Sequence, residues 1–68
     1  MRIGVTGASG MLGTALIDKL TNKHQVFATS RGKGYEKEGV QWECFDLTKL
    51  QKIDRWLVDT DPDVVVHC

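Results

Sequence analysis

Three glycines stand at three-residue intervals near the start of the chain, Gly7, Gly10 and Gly13, within the run Thr6-Gly7-Ala8-Ser9-Gly10-Met11-Leu12-Gly13. Ile3 and Val5 before it are strand formers and the residues after it have helical spacing, so the run joins a strand to a helix. In such a turn the first glycine takes a bend that a β-carbon resists, the second lets a ligand approach the main chain, and the third lets the helix lie close to the strand. Unpaired N–H groups of the first helical turn, together with the positive end of the helix dipole, then form an anion site. The pyrophosphate of a dinucleotide suits it best, held by main-chain donors without a metal. The cradle predicted here comprises Gly7, Ser9, Gly10, Met11, Leu12 and Gly13; the alternative is a tight turn with no ligand.

Other chemistry-bearing residues fall where later strands are predicted to end. The second strand ends in Thr29, Ser30 and Arg31, with Lys33 close behind. A dinucleotide site selective for NAD commonly places Asp or Glu there, about twenty residues past the glycines, to bind the ribose hydroxyls. A carboxylate would repel the additional phosphate of NADP, whereas the Ser30 hydroxyl and the Arg31 guanidinium can bind it. The sequence thus favours NADP(H) over NAD(H), the alternative being that Arg31 is a solvated loop charge. His67 and Cys68 are neighbours in a predicted strand and point to opposite faces, which argues against a catalytic dyad. His24 lies on a polar link and is expected to be exposed. Cys44 and Cys68 have no metal or redox spacing and are expected to be small buried hydrophobes.

The elements that must position these groups follow from periodicity. Met11, Leu12, Ala15, Leu16 and Leu20 recur at helical spacing and predict a first helix ending near Asn22. A short buried strand, residues 25–30, follows. Residues 31–39, Arg-Gly-Lys-Gly-Tyr-Glu-Lys-Glu-Gly, have no apolar stripe and are predicted as a loop. Residues 40–45 alternate as a strand. The intervening link is slightly short for a parallel crossover, which leaves a hairpin as the runner-up to parallel pairing. Thr48, with Gln51 three residues on, has capping-box spacing and predicts the start of a second helix that buries Leu50, Ile53, Trp56 and Leu57. Pro62 ends it, and Val64-Val65-Val66-His67-Cys68 reads as a strand covered on both faces. Trp42 and Trp56 are expected to anchor the core. The order β-α-β-loop-β-α-β predicts an α/β fold with a Rossmann-like parallel sheet, the front part of a doubly wound domain.

Composition limits the remaining choices. Sixty-eight residues suffice for one small domain, and a chain of this size buries only about 60% of its unfolded surface. Nine basic residues balance nine acidic ones, so no basic stripe argues for nucleic acid or an anionic membrane. No apolar run approaches a membrane span and no secretory signal opens the chain, so the expected location is the cytoplasm.

The run Thr6 to Gly13 has one residue more between its first two glycines than the standard dinucleotide fingerprint, and so resembles the T-G-x-x-G-x-x-G segment of the extended short-chain dehydrogenase/reductase family. Phe27-Ala28-Thr29-Ser30-Arg31, Asp46-Leu47-Thr48 and Pro62-Asp63-Val64-Val65-Val66-His67-Cys68 follow in the family's order. The missing helix between the second and third strands is most similar to the branch of dTDP-4-dehydrorhamnose reductase. The resemblance implies that Asp46 meets the adenine amino group and that Leu47 packs on the ring; the alternative is that Asp46 only caps the turn into the next helix. It also implies that Cys68 is a neighbour of the cofactor. The family's activity would be reduction of a keto group on a nucleotide-linked sugar with NAD(P)H. An NAD-dependent epimerase or dehydratase, or a non-catalytic regulatory module such as the regulatory subunit of methionine adenosyltransferase, are the other classes it leaves open. The family's catalytic Ser or Thr and Tyr-x-x-x-Lys pair have no counterpart here: Tyr35 is followed by Glu36-Lys37-Glu38-Gly39. The expectation is therefore the N-terminal part of a longer enzyme, without the substrate domain, with no hydride transfer by these residues alone and an oligomeric state left open. The last strand is expected to present an unpaired edge, leaving the isolated piece weakly folded or self-associating.

Overall fold

The computed structural model of the protein describes residues 1–32, 34 and 37–68; the sequence readings that involve Lys33, Tyr35 and Glu36 lie outside the described residues. Six elements follow in the expected order: β1 (Arg2–Thr6), α1 (Met11–Leu20), β2 (Gln25–Ser30), β3 (Val40–Cys44), α2 (Leu50–Thr60) and β4 (Val64–His67). All four strands are parallel, in the order β3-β2-β1-β4. The hairpin alternative is thereby excluded. Nine residues can span at most about 30 Å, while a five-residue strand is about 17 Å long, so residues 31–39 can run back without a helix. Lys37 fastens this return to α1 through a 2.8 Å ion pair with Asp18.

Strand alternation sends side chains to two cores. Ile3, Val5, Val26 and Ala28 meet Ala8 and Ile17 on the α1 face, with Leu16, Leu20, Val40, Trp42, Val66 and Cys68 around them. On the other face Phe27 meets Phe45 and Trp56, with Leu47 and Ile53 alongside. The indole of Trp56 lies over β1 where Gly4 has no side chain; a β-carbon there would stand 2.8 Å from the ring. At the amino ends of the strands, Arg2 closes the fold. Its guanidinium lies 4.6 Å from the centroid of the Phe27 ring, and it donates to the carbonyls of Thr60 and Asp61 at the end of α2 and to Gln25 Oε1.

Several local expectations are corrected. Met11 and Leu12 are 91% and 71% exposed, because the buried seam of α1 is Gly13, Leu16, Ile17 and Leu20. At 3.6 residues per turn Met11 and Ala15 lie nearly opposite that seam and Leu12 on its flank. No capping box forms at Thr48: α2 starts at Leu50 with Lys49 as an N-cap that makes no side-chain bond. Thr48 lies instead in the turn before the helix, where Asp46 Oδ1 accepts from its amide and its hydroxyl, each at 2.9 Å, and Asp46 O accepts from Lys49 N–H at 3.0 Å. The buried positions of α2 are Trp56 and Thr60, with Ile53 half-buried, and Leu50 is 73% exposed. Leu50 and Leu57 are seven residues apart and share one flank of this seam, so Leu50 is open to solvent and Leu57 is only partly covered. Cys44 is exposed and Trp42 only half-buried because β3 is an edge strand. Val64 and Val65 are likewise exposed, since β4 pairs only with β1 among the described residues.

The Gly4–Trp56 contact is testable. Gly4→Ala is expected to lower stability by about 1–3 kcal/mol through overpacking, read as a shifted urea midpoint, and Trp56→Phe in the same chain should recover part of that loss. Additive losses would show that the two positions do not compete for one space.

Candidate functional site

Parallel alignment brings four strand ends to one edge: Thr6-Gly7, Ser30-Arg31, His67-Cys68 and, just after β3, Asp46. The order β3-β2-β1-β4 reverses direction between β1 and β4, with α1 and α2 on opposite faces, and a crevice outside the carboxyl ends opens at such a reversal. The glycine turn leaves β1 at that point.

Each glycine of the turn has a different constraint. Gly7 has φ +66°, and a β-carbon on it would collide with the carbonyl oxygen of Cys68. Gly13 presses against the turn itself, where a β-carbon would lie 2.7 Å from Ala8 Cα and 2.8 Å from Gly7 O. It therefore closes helix against turn, rather than helix against strand. Gly10 is the N-cap of α1 in ordinary extended geometry, φ −76° and ψ 172°, and the nearest atom to a β-carbon there is Gly7 O at 3.7 Å. Neither backbone strain nor internal packing requires glycine at position 10. A side chain would instead fill the space above the turn, which is the space a diphosphate needs.

The donors around that space are open. Ala8 N–H is taken by Thr29 O at 3.1 Å and Gly10 N–H by Gly7 O at 3.4 Å. Among the described residues the amides of Ser9, Met11, Leu12 and Gly13 have no backbone acceptor. Ser9, Gly10, Met11 and Leu12 are exposed, and the first turn of α1 carries no acidic residue that could occupy the positive end of the helix. The turn thus fits a dinucleotide diphosphate.

Around it, Thr6 Oγ1 lies 2.7 Å from His67 Nδ1 on the α2 face, while Cys68 packs toward the α1 face, so His67 and Cys68 diverge. Cys68 N–H donates to Thr6 O at 3.0 Å, which sets Cys68 directly beside Gly7. Ser30 is 2% exposed; its hydroxyl donates to Gly32 O at 2.8 Å and accepts from Trp42 Nε1 at 2.9 Å. Arg31 is exposed and, among the described residues, has no hydrogen-bond or ion-pair partner. Asp46 shapes the turn after β3 through Oδ1, and Oδ2 has no partner among the described residues. The backbone and hydroxyl hydrogen bonds from Thr48 lower its pKa, with Arg31 and Lys49 adding to the effect. Leu47 is half-buried beside the Phe27, Phe45 and Trp56 cluster. Among the described residues no group of three or more His, Cys, Asp or Glu could hold a metal ion, and no helix is long and apolar enough to cross a membrane. Sequence reasoning missed the Thr6–His67 and Trp42–Ser30 pairs; the strand register, with Thr6 opposite His67 and Ala28 opposite Trp42, would have revealed both.

Two outcomes follow from this geometry. Gly10→Ala should change stability by less than about 1 kcal/mol, the weaker N-cap and the stiffer unfolded chain offsetting each other, while abolishing most dinucleotide binding; Gly13→Ala should destabilise the fold itself. A melt of Gly10→Ala that collapses like that of Gly13→Ala would refute the distinction. The depressed Asp46 pKa makes its contribution to stability fully present above the ordinary value of 3.8 and lost as pH falls through the lower folded value. Carboxyl NMR titration should place its midpoint below 3.8, and Asp46→Asn should flatten the acid limb of the stability profile.

Comparison with known proteins extends the geometry. The sequence profile of the family described as the RmlD substrate binding domain matches residues 1–68. The Bordetella bronchiseptica enzyme WbmG, solved in complex with NAD and UDP, superposes with a TM-score of 0.89 at 28% identity, over 100% of this chain and 24% of WbmG. L-threonine dehydrogenase of Clostridium difficile gives 0.84 at 29% identity over 97% of this chain and 23% of its own. WbmH of Bordetella bronchiseptica, solved with NAD+, shares the fold with a TM-score of 0.84 at 18% identity, over 97% of this chain and 24% of its own. No curated protein sequence matches the chain. The chain spans about a quarter of the length of these solved relatives. Its match over every residue shows that it belongs to the RmlD substrate binding domain family, that of dTDP-4-dehydrorhamnose reductase.

Proposed function

We propose that the chain is the NADP(H)-holding portion of an oxidoreductase that reduces a keto group on a nucleotide-linked sugar. The observation that carries this reading is the open first turn of α1, where exposed amides without acceptors surround a glycine that the fold itself does not need. WbmG, with NAD and UDP bound, supports a dinucleotide and a nucleotide-linked partner for this family of sheets. The family is described by a substrate binding domain, yet the residues matched here carry the glycine turn. The first role of these residues is therefore to hold the cofactor.

The bound cofactor would supply the hydride. Met11, Leu12 and Gly13 would offer their amides to its diphosphate, and the dipole of α1 would favour the double negative charge. Arg31 would pair with a 2′-phosphate by charge-assisted hydrogen bonds, and the strand end that carries it holds no carboxylate to repel that phosphate. Asp46 Oδ2 would accept from the adenine amino group while Oδ1 remains with Thr48, so that turn-building and binding are compatible. Leu47 would face the ring, and Cys68 would lie near the diphosphate because it lies against Gly7. The groups that move protons to and from the sugar lie outside this set.

A second reading, an NAD-dependent nucleotide-sugar epimerase or dehydratase, is favoured by the NAD found in WbmG. Cofactor preference separates the two. Arg31→Ala should weaken NADPH by about 1.5–3 kcal/mol, or about ten- to a hundredfold, and leave NADH nearly unchanged, as read by quenching of protein fluorescence. Equal losses for both cofactors would favour the second reading.

A further inference from the structure

We infer that Trp42 and Ser30 are positioning residues that brace the turn carrying Arg31, and thereby set the preference for a 2′-phosphate; the inference rests on the NADP(H) reading above. Register places Ser30 opposite Cys44 and Ala28 opposite Trp42, so Trp42 and Ser30 are diagonal neighbours on the α1 face. The indole N–H of Trp42 can only donate, and it donates to Ser30 Oγ at 2.9 Å. The single hydroxyl proton of Ser30 then goes to Gly32 O at 2.8 Å. The chain of donation runs in one direction, Trp42 to Ser30 to Gly32.

Two consequences follow. A phosphate offers acceptors, and Ser30 has no proton left for one while the bond to Gly32 stands. Ser30 is therefore a strut and not a phosphate ligand, which its burial also requires. The bond from residue 30 to the carbonyl of residue 32 closes a ring around Arg31 and fixes the backbone from which its exposed guanidinium projects. A second contact holds the same segment: a β-carbon on Gly34 would overlap Nε1, Cδ1 and Cε2 of Trp42, so the main chain at Gly34 lies directly against the indole. One side chain from β3 thus holds Gly32, through Ser30, and lies against Gly34. An arginine held in this way loses less conformational freedom on binding than one on a free loop, and that saving is realised only with a ligand that has the phosphate to grip.

The test compares 2′-phospho-ADP-ribose with ADP-ribose by calorimetry, in the protein and in its Arg31→Ala, Trp42→Phe, Ser30→Ala and Gly34→Ala variants. Trp42→Phe keeps a ring and removes the N–H; Ser30→Ala removes the strut; Gly34→Ala forces the main chain at residue 34 and the indole apart. Each of these three is expected to weaken 2′-phospho-ADP-ribose about three- to tenfold and to leave ADP-ribose within about twofold. A merely structural role would shift the thermal midpoint and leave that ratio unchanged. If Arg31→Ala lowers the ratio while the other three leave it unchanged, the brace is overturned and the NADP(H) reading stands. If Arg31→Ala itself leaves the ratio unchanged, the cofactor reading fails and the brace with it.

Discussion

The carboxyl edge of this sheet depends on backbone packing against backbone with no side chain between. Gly7 meets the carbonyl of Cys68, and Gly13 meets Ala8 and the carbonyl of Gly7, so two of the three glycines in the turn serve the protein's own interior contacts. Only Gly10 is left over. The first helical amides stay open because the N-cap is Gly10, which has no side chain to offer them, and the first turn carries no acidic residue. Binding capacity here is thus a by-product of close packing on either side of an unfilled position.

The two edges of the sheet are opposite in kind. At the amino edge Arg2 satisfies the last carbonyls of α2, covers Phe27 and bonds Gln25, while its own amide donates to Asp63 Oδ2 at 2.8 Å. Arg2 and Asp63 there join α2 to β1 and β2. The carboxyl edge keeps free amides, the guanidinium of Arg31 and one oxygen of Asp46. Stability is concentrated at one end and recognition at the other, as a parallel sheet permits because every strand ends on the same side.

Much of this was legible in the sequence, for physical reasons that differ by element. The glycine spacing marks a strand-turn-helix because Gly7 and Gly13 are required by the turn's own close contacts, and Gly10 between them leaves the helix start uncovered. The valine run before His67 and the proline before it fix β4. What periodicity could not supply was where each seam lies: Met11 and Leu12 belong to the apolar count of α1 yet stand off its buried line, and Leu50 belongs to that of α2 yet lies on its flank. Periodicity also cannot decide where a turn ends and a helix begins. Thr48 suits a capping box, but it is held in the turn after Asp46 and α2 begins two residues later. Long-range partners were the least visible, since Arg2 with residues 60–63 and Trp42 with Ser30 depend on a strand order that pattern alone did not give.

The direction of β1 has a practical outcome. Met1 is exposed at the amino edge, and β1 runs five residues from there to the glycine turn, about 17 Å at strand rise. An affinity tag or a surface linker joined ahead of Met1 therefore emerges on the far side of the molecule from the dinucleotide crevice, so the protein can be immobilised for ligand measurements with its recognition edge turned toward solution.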